Sequence, residues 1–136
     1  NGWDTISNQG MLKDIVAELH ESGVRVSIFI NPEIKYFEPA KLTGTDRVEL
    51  YTEPYASGYH KDRDAAVKPY VEVAEIAKAL GLGINAGHDL DLENLAFLKQ
   101  SIPYLDEVSI GHALVCDALY YGLENTIQMY RRKLEL

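Results

Sequence analysis

Two glycine–histidine pairs, Gly87-His88 and Gly111-His112, close apolar segments and lie 24 residues apart, each within a Gly-His-x-Leu pattern. An imidazole exchanges protons near neutral pH, and His88 stands where Ile84-Asn85-Ala86 gives way to Gly-His-Asp, a place where it would be accessible. The same position also suits a histidine that only bonds the loop backbone. At Gly111-His112 the glycine would let an anion approach the backbone N–H groups of a following helix, which is phosphate-binding chemistry; a tight turn that needs glycine explains the same residues. Glu49 lies between Val48 and Leu50 in an apolar strand, where a carboxylate must be paired, hydrogen-bonded or protonated. It is therefore a site group or half of a structural ion pair. His88, Asp89, Asp91 and His112 have the chemistry to hold zinc or iron, but their spacing matches no metal motif. His20 and His60 read as solvated surface residues.

The elements that would carry these groups alternate. Leu12, Ile15, Val16 and Leu19 fall at helical spacing between a possible N-cap at Asn8 and a stop at Gly23. Val24 to Ile30 reads as a strand buried on both faces, and residues 33–42, which contain Pro39, as a short or broken helix. A second strand covers 47–52, followed by a loop at 53–59 rich in turn formers. A long helix is expected over 62–80 with a kink at Pro69, then a strand at 83–86, a helix over 92–100 and a strand at 107–110. Helical sequence interrupted near Gly122 occupies 113–134. This alternation predicts an α/β fold with a parallel sheet, so Asn31, Glu49 with Thr52, His88 with Asp89, and Gly111 with His112 collect at one sheet edge.

Composition narrows the function. The chain of 136 residues carries 13 Lys+Arg against 21 Asp+Glu, a formal net charge of −8. That balance argues against nucleic-acid binding; the basic cluster Arg131, Arg132 and Lys133 suits a helix C-terminus instead. No apolar run approaches the roughly 18 residues that span a bilayer, so a soluble, cytoplasmic protein is expected. Cys116, the lone cysteine, sits in an apolar stretch and is expected to be a buried, inert thiol.

Together Val26-Ser27-Ile28-Phe29-Ile30, Val48-Glu49-Leu50-Tyr51-Thr52 with Tyr55-Ala56, Ile84-Asn85-Ala86-Gly87-His88 and Ser109-Ile110-Gly111-His112-Ala113 resemble the pyridoxine 5′-phosphate synthase family of vitamin B6 biosynthesis. The resemblance runs in order along nearly the whole chain. It implies a (β/α)8 TIM barrel and a reaction that joins 1-deoxy-D-xylulose 5-phosphate to 3-amino-2-oxopropyl phosphate, without organic cofactor or metal. It also implies that His88 is the proton donor, that Glu49 stabilises the reacting intermediate, and that Gly111 and His112 belong to the substrate-phosphate cradle, beside Asp89. A homo-oligomer, up to an octamer, is implied as well. Asp89 stands where the family commonly has glycine, and adds charge near a bound phosphate unless it turns away; Tyr51 replaces a usual histidine. A complete barrel of this kind takes roughly 250 residues. The chain, which opens at Asn1, is accordingly expected to be a single domain, residues 1–136, forming the C-terminal half with the last four βα units. An isolated half would leave two open strand edges and is expected to self-associate. A catalytically incomplete half-barrel and a metal-dependent hydrolase of the same general fold are the competing readings.

Overall fold

A computed structural model describes residues 1–135. Helix α1 spans Gln9–Glu21 and is followed by strand β1 (Ser27–Ile30), a single 3-10 turn (Ile34–Tyr36), α2 (Phe37–Leu42) and β2 (Arg47–Leu50). Then come α3 (Glu53–Ala79), β3 (Gly83–Gly87), α4 (Leu95–Ser101), β4 (Glu107–Ser109), α5 (His112–Tyr121) and α6 (Leu123–Leu134). The strands form one sheet in the order β1-β2-β3-β4, every pair parallel. This is the alternating α/β order expected from the periodicity, with half the strand complement of an eight-stranded barrel.

Strand alternation divides the sheet into unlike faces. Ile28, Ile30, Val48, Leu50, Ile84 and Ala86 lie on one face and are buried, together with Leu12 and Val16 of α1, Phe37 of α2, Tyr70, Val73 and Ala77 of α3, and Leu95 and Leu98 of α4. The other face carries Ser27, Phe29, Arg47, Glu49, Asn85, Glu107 and Ser109, which are mostly polar. Here Arg47 Nη1 donates to Asn85 Oδ1 at 3.0 Å and stands 3.5 Å from Glu107 Oε2, so one guanidinium ties three strands together. The two-sided burial expected for residues 24–30 is therefore corrected. The strand starts at Ser27 and buries only Ile28 and Ile30 fully, because helices cover one face of the sheet and the other bears the polar set.

Three further expectations are corrected. Residues 53–59, with their turn formers, are helical: Pro54 sits in the first turn of α3, where its missing N–H costs nothing. Tyr55 and Tyr59, four residues apart, stack edge-on against each other, and Tyr55 also meets Tyr70. The break in α3 falls at Asp62 (φ −160°, ψ 92°), not at Pro69. Asp62 Oδ1 accepts the Ala65 N–H at 3.0 Å and so caps a fresh helical start, after which Pro69 continues the helix on its exposed side. Cys116 is exposed, because α5 buries none of its residues. Gly122 (φ 78°, ψ 144°) separates α5 from α6 in a conformation nearly restricted to glycine, as its position suggested. Among the described residues no helix is long and apolar enough to cross a membrane.

Candidate active site

The C-terminal ends of β2 and β3 bring two predicted groups together. Glu49, on the polar face of β2, faces Asn85 across the β2–β3 register, and His88 follows the last residue of β3. Their side chains meet, with His88 Nδ1 3.1 Å from Glu49 Oε1. The distance suits an ion pair, yet the oxygen is buried and no donor is aligned with it, so the contact is electrostatic rather than a formed hydrogen bond. A buried acceptor without an aligned donor costs about 1–3 kcal/mol, a cost met at strained or chemically active positions. The pair combines a sheltered carboxylate, its side chain 17% exposed, with an accessible imidazole, 68% exposed. Phe29 of β1 meets the His88 ring edge-on at 5.7 Å and gives it an apolar wall.

The backbone at His88 is unusual. Its φ is +46°, and it is the one non-glycine residue with positive φ among those described. The Asp89 N–H reaches Gly87 O at 2.7 Å, closing a three-residue turn with His88 at its centre. Such a conformation stores of order 1–3 kcal/mol and persists only where its surroundings over-determine it. Those surroundings are close. A Cβ on Gly87 would stand 2.2 Å from Ser109 O, so only glycine lets β3 run this near β4. The His88 N–H then donates to that same Ser109 O at 2.9 Å.

Thr52, just beyond β2 and 1% exposed, donates its hydroxyl to Gly87 O in a short hydrogen bond and lies 3.2 Å from Asp89 Oδ2. Behind the turn, Asn94 donates through Nδ2 to Asp89 O (3.2 Å), accepts the Asp91 N–H (3.0 Å), and receives the Tyr55 hydroxyl at its carbonyl (2.6 Å). Tyr70 donates to Tyr51 O at 2.8 Å. Burial pushes both the Tyr55 and the Tyr70 hydroxyls well above the ordinary phenol range, so each stays a protonated donor. The Asp89 carboxylate is thus turned toward Thr52.

Gly111 caps α5 and His112 begins it, two and three residues past Ser109 and so next to the β3 end. No side chain caps this helix, and nothing lies within 4 Å of where a Gly111 Cβ would stand. The first-turn N–H groups of α5 therefore have no side-chain cap. His20 and His60 are exposed as expected, but each has a partner: Asp46 at 2.9 Å and Glu93 at 3.3 Å. Among the described residues no three His, Cys, Asp or Glu side chains gather to hold a metal ion. Sequence reading placed Thr52 at the strand end without giving it a role, and passed over Asn94. The only hint for Asn94 was its position immediately before the apolar run Leu95-Ala96-Phe97-Leu98, which reads as an ordinary helix start.

The sequence model of a family described as "Pyridoxal phosphate biosynthesis protein PdxJ" matches residues 1–136. A pyridoxine 5′-phosphate synthase of Cytophaga hutchinsonii is 61% identical over 134 residues, covering 98% of this chain and 56% of that protein. One of Parabacteroides distasonis is 56% identical over 131 residues, covering 96% of this chain and 55% of its own length. The chain thus spans little more than half the length of these curated relatives. Among solved structures, the one titled "Crystal structure of Amycolatopsis orientalis BexX/CysO complex" is similar with a TM-score of 0.60 at 17% identity, over 96% of this chain and 50% of that one. At that identity the likeness speaks for the fold alone.

Proposed function

The chain belongs to the PdxJ family of pyridoxal phosphate biosynthesis proteins, and from that premise we propose that it carries part of the active site of a pyridoxine 5′-phosphate synthase. The proposed reaction condenses 3-amino-2-oxopropyl phosphate with 1-deoxy-D-xylulose 5-phosphate to give pyridoxine 5′-phosphate, inorganic phosphate and water. The observation that carries this reading is the meeting of Glu49 and His88 at 3.1 Å from adjacent strand ends, with Glu49 Oε1 buried and lacking a donor.

The chemistry fits that pair. Joining an amine to a ketone passes through a cationic iminium, which a sheltered carboxylate stabilises, and this is the role proposed for Glu49. Loss of phosphate and dehydration each need a proton delivered to a leaving oxygen, and ring closure onto a carbonyl needs one delivered to the oxygen that becomes a hydroxyl. His88 is the proposed donor, accessible on one side and walled by Phe29 on another. Gly111 and His112, at the uncapped start of α5, are the proposed cradle for a substrate phosphate. Asp89 borders the cradle, and no organic cofactor or metal is assigned a step.

Because the chain spans about 56% of a relative's length, the remaining proton-transfer and phosphate-binding groups are proposed to lie outside these 136 residues, which alone should not turn over. In that reading the chain is the C-terminal half of the barrel. The complete protein is proposed to work in the cytoplasm, where charged sugar phosphates are made and retained. It is proposed to act as a homo-oligomer, of up to eight copies, and the exposed apolar side of α5 supports association. The test is turnover of the complete protein with both phosphorylated substrates. His88→Ala and Glu49→Gln should each lower kcat by about 10²–10⁴-fold; a His88→Ala enzyme with near-parental turnover would remove the reading.

A further inference from the structure

We propose that Thr52 and Asp89 are positioning residues for His88: together they hold the Gly87–Asp89 turn in the left-handed form that aims the imidazole at Glu49. The inference rests on the catalytic role proposed above for His88, and goes beyond it by naming what keeps that ring in place.

Left free, a histidine at φ +46° relaxes to negative φ, and its Cβ and ring swing away with the backbone. Two of the restraints against this come from within β3 and β4: the His88 N–H bound to Ser109 O, and the Asp89 N–H bound to Gly87 O. Neither connects the turn to β2, the strand that holds Glu49. Thr52 supplies that connection. It lies three residues past Glu49 and is buried, and its single hydroxyl reaches Gly87 O before His88 and Asp89 Oδ2 after it. The hydroxyl has one proton and faces two acceptors, the Gly87 carbonyl and the Asp89 carboxylate, the latter at 3.2 Å. Asn94 holds the other side of Asp89 through its carbonyl. One short segment, residues 49–52, therefore fixes both partners of the pair, carrying Glu49 directly and His88 through Thr52. The charge of Asp89 is used in orientation, which lets a carboxylate occupy a place bordering a phosphate cradle.

The test reads ring position without relying on turnover. In proton NMR of the complete protein, with only its histidine and aromatic rings protonated, the His88 ring should give cross-peaks to the Phe29 ring, 5.7 Å away between centroids, and Tyr55 to Tyr70, at 5.8 Å, serves as a fold marker. Thr52→Val keeps the side-chain shape and removes the donor. It should abolish the His88–Phe29 cross-peaks and keep those of Tyr55–Tyr70, while Thr52→Ser should restore both. In the complete enzyme the same Thr52→Val change should lower kcat by about 10²-fold with KM within about threefold. A Thr52→Val chain that retains the His88–Phe29 cross-peaks overturns the inference. Should Thr52→Val also lose the fold marker, Asp89→Ala, made at a half-exposed site, decides: weakened His88–Phe29 cross-peaks support the latch and unchanged ones overturn it. A parental enzyme that forms no pyridoxine 5′-phosphate would sink the proposed function and leave the ring-position result standing.

Discussion

The ends of β2 and β3 and the helix α5 are neighbours built on opposite plans. At the strand ends, buried Thr52, Asn94, Tyr55 and Tyr70 satisfy one another and the backbone, and a strained His88 is held from several sides. In α5 no residue is buried, and Val115, Leu119, Tyr120 and Tyr121 face outward from a largely apolar sequence. The first region draws its order from contacts inside the chain. The second forms a regular helix without an apolar partner on its outer side. The difference teaches that precision was placed where two side chains must meet at 3.1 Å, and that α5 gains its stability mainly from packing on α6 rather than from the sheet.

The sharpest way to break this comparison is a matched pair of leucines. Leu50, at the end of β2, is 0% exposed, whereas Leu119 on α5 is 81% exposed. Leu50→Ala should cost about 2–5 kcal/mol, since it removes buried methyl groups and leaves a cavity beneath Glu49 and Thr52. Leu119→Ala should stay within about 0.5 kcal/mol. Urea unfolding of both variants measures this, and a Leu119 loss as large as that of Leu50 would mean that α5 is covered in solution and the contrast is false. A smaller effect sharpens the same comparison inside the site. Gly87→Ala would set a methyl group 2.2 Å from Ser109 O, so β3 and β4 must part. We expect a loss of about 1–3 kcal/mol and, in the complete enzyme, reduced kcat because His88 follows directly. Unchanged stability with unchanged turnover would show that the close approach is dispensable.

How much of this was legible beforehand depends on whether the deciding contact was local. The helix–strand alternation followed from spacing within each segment, and a parallel sheet then forced Glu49 and His88 to one edge. Residues 53–59 were misread because Pro54, Ser57 and Gly58 are turn formers by local preference, while the deciding contacts of Tyr55 and Tyr59 are with Tyr70 and Phe97. Cys116 was misplaced because an apolar stretch implies burial only where something covers it. The direction of Asp89 was beyond any local rule: its partner, Thr52, lies 37 residues earlier. The charge was readable, and its orientation was set by tertiary contact.

The smallest expected effect lies at the opposite end of the same sheet and separates structural from catalytic acid sensitivity. Asp46, just before β2, accepts the Val26 N–H at 2.8 Å and the His20 ring at 2.9 Å. These contacts, the backbone bond first, hold its carboxyl below the ordinary aspartate value of 3.8. A group whose folded value is depressed binds its proton more readily in the unfolded chain. Its stabilising contribution is therefore complete above 3.8 and fades as the pH falls through the folded value. Asp46 is 41% exposed, so water and salt screen the effect and keep it small. Melting temperature should fall on acidification below about pH 4, and Asp46→Asn should flatten that limb while leaving the His88–Phe29 contact intact. If Asp46→Asn disturbs that contact as well, the two ends of β2 are coupled, and the precision seen at the site extends through the whole strand.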